Sequence, residues 1–344
     1  MSIVSEATLM FAEAAEAGAV VARQRVANRA ALTLLGGRLR EHPPRAVSTI
    51  ARGSSDHAAT FAKYLIETMI GLPVTSTAPS VSSVYHAAAQ AKDTLLIAIS
   101  QSGRSPDLLS AVEAGRAGGA YLAAMVNQAD SPLAEIADVT LPLHAGAERS
   151  VAATKSYIAS LALILDLVAT WCDDAGLSAA LDDAPALLAQ SWTMDWTPLV
   201  DGLIDAHGLY VIGRGLGLGI AQEAALKFKE TCGLHAEAFS AAEVRHGPMA
   251  LIGPDFPLLV FRQDDETAVG VDALVTEALG QGATVYCAGA DLTGAVTLPT
   301  IAAPSAIEPM LQIQSFYRAV NSLSVARGFD PDSPPHLHKV TETI

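Results

Sequence analysis

The chain is poor in cysteine, in positive charge, in aromatic residues and in long unbroken apolar runs. Its three cysteines, Cys172, Cys232 and Cys287, are odd in number, scattered and outside any Cys-x-x-Cys or Cys/His spacing. That argues against a disulfide framework and a zinc site, and for reduced thiols in a cytoplasmic protein. Lys plus Arg number 21 against 36 Asp plus Glu, a net charge of −15, so the surface as a whole repels nucleic acid and anionic membranes. A small anionic substrate stays open, because a few directed N–H and hydroxyl donors outweigh a diffuse field screened within roughly 10 Å. Apolar stretches such as 161–168 are interrupted by Asp166 and fall short of the roughly 20 residues of a bilayer span, so no membrane segment is expected. The N-terminus carries early Glu residues without a basic n-region, and reads as the start of an amphipathic helix rather than a signal peptide.

What is abundant is Ala, Leu and Val, within a 51% hydrophobic share, which suits helices packed closely on a buried sheet. Short apolar runs alternate with longer helical patterns, the rhythm of β-α-β units in a parallel sheet. Strands are expected at 46–51, 94–99, 121–126 and 139–143, and again at 209–213, 258–261, 284–288 and 296–298. Gly53 and Gly213, each ending a first strand, lie 160 positions apart; Ser100 and Arg262 lie 162 apart, as do Asn127 and Gly289. A common offset predicts a duplicated α/β domain, each copy a doubly wound parallel sheet flanked by helices in a flavodoxin-like three-layer sandwich. The expected organisation is N-terminal helices over 1–42, a first domain over 43–170, a linker over 171–199, a second domain over 200–330 and a tail over 331–344.

Ser100-Gln101-Ser102-Gly103-Arg104-Ser105-Pro106 follows the strand TLLIAI and precedes a helical pattern. Ser105 suits an N-cap and Pro106 a first helical position, so the loop should end at a helix N-terminus that favours a dianion. Gly103 lets backbone approach closely. Ser54 and Ser55, after the first strand, add hydroxyls at the neighbouring strand end. An ordinary polar loop with a helix cap is the alternative. The loop is not a Walker A motif, since no Gly-Lys-Ser/Thr follows its glycine, and the GRGLGLG run at 213–219 has no G-x-G-x-x-G frame, which leaves a tight strand-to-helix turn. The second half has FRQDDE where the first has its serine loop, so only the first half is expected to hold an anion.

IAQEAALKFKETCGLHAEAF reads as a helix with Glu223, Lys227 and Glu230 on one face. A solvated salt-bridge stripe is one reading. The other is chemistry, supported by the polar cluster His235, Glu237, Glu243, Arg245 and His246 that follows at once. Proton transfer between C1 and C2 of a phosphorylated sugar needs a base, a ring-opening group and a cation, and Glu, His and Lys meet those needs without a metal or organic cofactor.

With these residues in view, the sequence resembles the SIS (sugar isomerase) domain proteins, and among them the isomerase part of glucosamine-6-phosphate synthase. The resemblance is carried by RGSSDHA at 52–58, SQSGRSPD at 100–107, AGAERSVAATKSY at 145–157, ALKFKETCGLHAEAFSAAEVRHGPMAL at 225–251 and the final LHKVTETI. It implies two tandem SIS domains and a sugar 6-phosphate held by Ser100, Gln101, Ser102 and Ser105, with Ser54, Ser55 and the backbone at Val151 and Ala152 near the sugar. It implies Glu230 as the C1/C2 proton carrier and Lys227 as a supporting charge. It further implies His246 as a ring-opening aid supplied across a homodimer, and Lys339 as the lysine that forms a Schiff base with the keto sugar.

The synthases also carry a glutaminase domain with a cysteine directly after the initial Met, where this chain has Ser2. No glutamine hydrolysis by that route is therefore expected. Arg104 stands where the synthase loop is acidic, and the tail reads PPHLHK where an Arg precedes the lysine. The expectation is a glucosamine-6-phosphate deaminase of the SIS type, giving fructose 6-phosphate and ammonia. An aldose–ketose phosphosugar isomerase, a deglycase of 6-phosphorylated sugar amines and a sugar-phosphate sensor without turnover are the alternatives.

Overall fold

A computed structural model of the chain describes residues 5–339, so the last five residues of the LHKVTETI tail, like the first four of the chain, lie outside the described residues. Contacts divide it into two compact units, one of residues 19–147 and 156–182, the other of residues 5–18, 148–155 and 183–339. Two helices, α1 (Leu9–Ala15) and α2 (Ala17–Glu41), come before any strand.

The first unit runs β1 (Ala46–Ile50), α3 (Ser54–Met69), β2 (Val74–Ser76), α4 (Ser80–Ser83), β3 (Thr94–Ser100), α5 (Pro106–Ala117), β4 (Tyr121–Val126), α6 (Pro132–Ile136) and β5 (Val139–Pro142). Its sheet is wholly parallel, in the order β2-β1-β3-β4-β5. Strands β3 and β4 are buried from their second residue onward, which is why they read as continuous apolar runs instead of alternating ones. Ile50, Leu96, Ala98, Val112 and Leu122 form one face of the core. The helix α7 (Lys155–Cys172) is long and apolar enough to span a bilayer by composition, yet 89% of it is buried inside the fold, as befits a core helix. The one acid in its apolar run, Asp166, is paired with Arg25 of α2 at 2.6 Å.

Next come α8 (Ala175–Ser191) and α9 (Thr197–Leu203), so the stretch expected as a linker over 171–199 is largely helical. Its Ala and Leu content favours helix, and Asp174 closes the first turn by accepting from the Leu177 N–H at 2.9 Å. The second unit then runs β6 (Gly208–Gly213), α10 (Gly217–Cys232), β7 (His235–Ser240), 3-10 turns at 243–246 and 248–251, β8 (Leu258–Phe261), α11 (Ala268–Gly280), β9 (Val285–Ala288), β10 (Val296–Leu298) and α12 (Glu308–Ala326). Its order, β7-β6-β8-β9-β10, repeats that of the first unit strand for strand, and every pair is parallel. The common offset seen in the sequence is therefore a repeated 2-1-3-4-5 sheet.

Eight expected strands are present, with ends shifted by at most one residue. Two more, β2 and β7, are edge strands absent from the expectation. The helix expected to run through IAQEAALKFKETCGLHAEAF stops at Cys232, because Gly233 adopts a left-handed conformation (φ 57°) and turns the chain into β7 beside β6.

Candidate active site

In open parallel sheets of this order, ligands sit beyond the carboxyl ends of the strands where the winding reverses, which in the first unit is between β1 and β3. Two loops emerge there. After β3, the Ser100 hydroxyl accepts from the Gly103 N–H at 3.0 Å, folding the loop back on itself. Gly103 has φ 63°, and a Cβ at this position would overlap the Ser131 side chain, so no other residue fits without displacement. Ser105 occupies the N-cap position of α5 with Pro106 as the first helical residue, but its hydroxyl makes no capping bond. Gln101, Ser102 and Ser105 are half-buried, and the Ser102 hydroxyl accepts from the Arg104 N–H at 3.3 Å.

The loop after β1 is tied to the same place. Arg52 donates from Nε at 3.0 Å and Nη2 at 2.7 Å to one oxygen of Asp107, a carboxylate only 1% exposed in the first turn of α5. The ion pair thus fixes the first loop against the second. Ser54 and Ser55 open α3 and are half-buried; the neighbouring Asp56 carboxyl is raised by burial, with His57 and Arg52 opposing.

The second unit holds the acid and lysine groups. Glu223, Lys227 and Glu230 form a row along α10, but it is no solvated stripe. Lys227 Nζ lies 3.3 Å from Glu223 and 2.5 Å from Glu230, with side-chain exposures of 0% for Glu223, 1% for Lys227 and 20% for Glu230. Tyr317 of α12 donates to the same Glu223 at 3.0 Å. Burial alone would lower the Lys227 ammonium; the two carboxylates outweigh it and hold the group above the ordinary lysine range. A lysine held charged in this way is a fixed cation and not a nucleophile. It orients the Glu230 carboxylate, whose other oxygen has no bond within the described residues. Removing one partner from such a buried row costs about 3–5 kcal/mol, since the other charge is left uncompensated.

Lys339 reaches back to the 148–155 segment, where its Nζ donates to the Ser150 carbonyl at 2.7 Å and stands 3.6 Å from Glu148. This segment is heavily tied. Glu148 accepts from the Thr154 N–H at 2.9 Å, and Glu13 accepts from the N–H groups of Arg149 and Ser150 at 2.5 and 3.2 Å. Burial raises the Glu13 carboxyl, and those two N–H bonds oppose it. The Val151 N–H is engaged with the Asp332 carbonyl at 3.3 Å, and Ala152 is buried.

Glu230 also lines a cleft of about 430 Å³ with Leu226, Lys229, Gly233, Phe329, Pro335 and Leu337. His246 sits exposed on the 3-10 turn after β7. The second-half loop that replaced the serines is closed by its own ion pairs: Arg262 binds Asp264 at 3.2 Å and Asp272 at 3.3 Å. Sequence reasoning missed Glu148, Tyr317 and the Arg52–Asp107 pair. Only the last had a local signal, an acid two residues past the N-cap of α5.

A family model described as SIS domain matches residues 43–169 and 202–291. The glutamine–fructose-6-phosphate aminotransferase (isomerizing) of Aeropyrum pernix is 34% identical over 312 residues, covering 84% of this chain and 50% of its own. Its counterpart from Pyrobaculum aerophilum is 33% identical over 312 residues, covering 86% and 51%. The chain spans about half the length of these curated relatives. A solved structure from Silicibacter pomeroyi DSS-3, provisionally named a phosphosugar isomerase, is 40% identical with a TM-score of 0.89, covering 94% of this chain and 100% of its own. At 22% identity, the C-terminal domain of glucosamine-fructose-6-phosphate aminotransferase from Francisella tularensis shares the fold, with a TM-score of 0.86 over 95% of this chain and 98% of its own.

Proposed function

We propose a specific reaction for this chain, which belongs to the SIS domain family of phosphosugar isomerases: conversion of glucosamine 6-phosphate and water to fructose 6-phosphate and ammonia. The observation that carries the reading is the buried row on α10, in which a desolvated Lys227, ion-paired to Glu223 and Glu230, leaves Glu230 as the one carboxylate of the row still in reach of solvent. A base needs to be oriented and accessible, and Glu230 meets both conditions, held by Lys227 and one-fifth exposed.

In this reading the phosphate is gripped by the hydroxyls of Ser100, Ser102 and Ser105 with Gln101 and the start of α5, while Ser54, Ser55 and the Val151–Ala152 backbone serve the sugar. His246 assists ring opening from a second copy of the chain, so the protein acts as a homodimer. Glu230 carries the proton from C2 to C1 of the open-chain aldose, giving the 2-imine; water adds at C2 and the C–N bond breaks. Lys227 steadies the charge that develops, and Lys339 serves as the amine that engages the carbonyl carbon of the keto sugar. The name given to the Silicibacter relative supports a second reading, plain aldose–ketose isomerisation, which uses the same proton transfer without C–N cleavage.

Purified protein mixed with glucosamine 6-phosphate should release ammonia and fructose 6-phosphate in equal amounts. Interconversion of glucose 6-phosphate and fructose 6-phosphate without ammonia from the amino sugar selects the second reading. Tight binding of these sugars with no product from any of them makes the protein a sensor and ends both.

A further inference from the structure

Three pieces of chain far apart in sequence, α1, the segment 148–155 and the tail 331–339, belong to one compact unit, and each is bonded to the other two. The tail holds the start of α1: the Asp332 carboxylate accepts from the Leu9 and Met10 N–H groups at 2.6 and 2.7 Å. It also holds the segment. The Asp332 carbonyl accepts from the Val151 N–H, the Pro331 carbonyl accepts from the Ser150 hydroxyl at 3.4 Å, and Lys339 donates to the Ser150 carbonyl. The third side is α1 against the segment. Glu13, only 7% exposed, offers one carboxylate oxygen to the Arg149 N–H and the other to the Ser150 N–H. Glu16, at the C-cap of α1, pairs with the buried Lys155 at 2.8 Å. Helix α1 is itself seated on α12, where Gln314 donates to the Ala14 carbonyl at 3.0 Å and the Thr8 hydroxyl donates to Asn321 Oδ1 at 2.7 Å.

The three sides meet at Ser150, which is fully buried: its N–H goes to Glu13, its hydroxyl to Pro331, and its carbonyl receives Lys339. An apolar side chain at position 13 would leave the Ser150 N–H without that acceptor, so a purely structural duty for Glu13 is the plain alternative. What the carboxylate adds is direction. Its two bonds fix the two peptide planes that lead to the Ser150 carbonyl, and the Val151 N–H bond to Asp332 fixes the plane that carries it. On the reading above, in which Lys339 engages the keto carbonyl, we propose that Glu13 is a positioning residue for Lys339. Helix α1 then belongs to the active-site apparatus and is not a lead-in to the first domain. A shift of about 1 Å in a reacting group costs on the order of a hundredfold in rate, so the aim of one carbonyl matters. Glu13→Gln keeps the size of the side chain but sets an amide N–H against one of the two backbone N–H groups, and the Ser150 carbonyl turns away. The hydroxyls assigned to the phosphate are not part of this triangle, so substrate affinity holds.

The test traps the amine itself. Lys339 Nζ adds to C2 of fructose 6-phosphate, water leaves, and borohydride delivers hydride to the resulting C=N bond, so the reduced sugar phosphate stays on Lys339 and is read by peptide mass. In Glu13→Gln the rate of trapping and kcat for glucosamine 6-phosphate should both fall by about tenfold to a hundredfold, while KM stays within about threefold. A brace that only stabilises the fold would move the urea midpoint and leave trapping alone. Trapping at the wild-type rate in the folded variant therefore overturns the proposal, whatever the midpoint does, and leaves the deaminase reading standing. A rise in KM as large as the fall in kcat also overturns it, since the damage would then be general. If Glu13→Gln does not fold, the same measurement on Asp332→Asn, which weakens the hold of the tail on α1, decides in its place: slower trapping at unchanged KM supports the proposal, and wild-type trapping ends it. Turnover by the wild-type protein with no adduct on Lys339 removes the role of that lysine and the proposal with it. Neither turnover nor adduct in the wild type removes the reading as well.

Discussion

The side chain of Lys227 lies wholly inside protein, so its charge depends on the two carboxylates beside it. Glu223→Gln removes the better buried of them and should destabilise the fold by about 3 kcal/mol, measured as a shift in the urea midpoint. Glu230 differs, being one-fifth exposed at the end of the row. We expect Glu230→Gln to lower kcat by about a thousandfold or more while sugar-phosphate affinity stays within a few-fold; unfolding instead would make the carboxylate structural. At the serine loop, Ser102→Ala should raise KM about tenfold with little change in kcat, the signature of a lost ground-state hydrogen bond. These three residues were legible because each sits in a compact local pattern. Glu148 and Tyr317 were not: Glu148 is defined by Lys339, far along the chain, and Tyr317 by a carboxylate on α10 that no spacing in α12 announces.

At the scale of elements, the strands with both faces covered were readable as apolar runs, and the two missed ones are edges. β2 is three residues long with one of them buried, and β7, HAEAFS, alternates and carries Ala and Glu, which read as a continuation of α10. Only the tertiary pairing with β6 decides it. The same scale holds a pH-dependent element. Asp166 on α7 is pushed up to about 6 by burial, with Arg25 and Arg29 opposing and Asp182 of α8 adding to the rise. A carboxyl with a folded pKa near 6, against 3.8 in the unfolded chain, binds its proton more tightly when folded. Its contribution therefore favours folding below about pH 4 and is lost as pH rises through about 6. Stability measured by urea should gain on the order of 1–3 kcal/mol from this group between pH 7.5 and pH 4.5, and Asp166→Asn should flatten that gain. Equal pH slopes in the two proteins would assign the dependence elsewhere.

For the whole molecule, a repeated 2-1-3-4-5 sheet means that one architecture has been loaded twice with different chemistry, serines at the first winding reversal and mutual ion pairs at the second. The offset between equivalent residues revealed the repeat before any strand was seen. A homodimer is what the family resemblance alone implies, and the proposal has a sharp test. If His246 serves a second copy, mixing the inactive His246→Ala and Glu230→Gln proteins under conditions of subunit exchange should restore about a quarter of wild-type activity, because half the dimers are hybrids with one intact site each. No recovery would place the histidine in its own subunit's chemistry. The buried ion row has one more consequence, for temperature. Ions lose less by leaving water as the solvent warms, so the cost of shutting Lys227 and Glu223 away from it shrinks on heating, while apolar burial per unit area levels off. Heat that loosens the rest of the molecule should therefore reach the α10 row late.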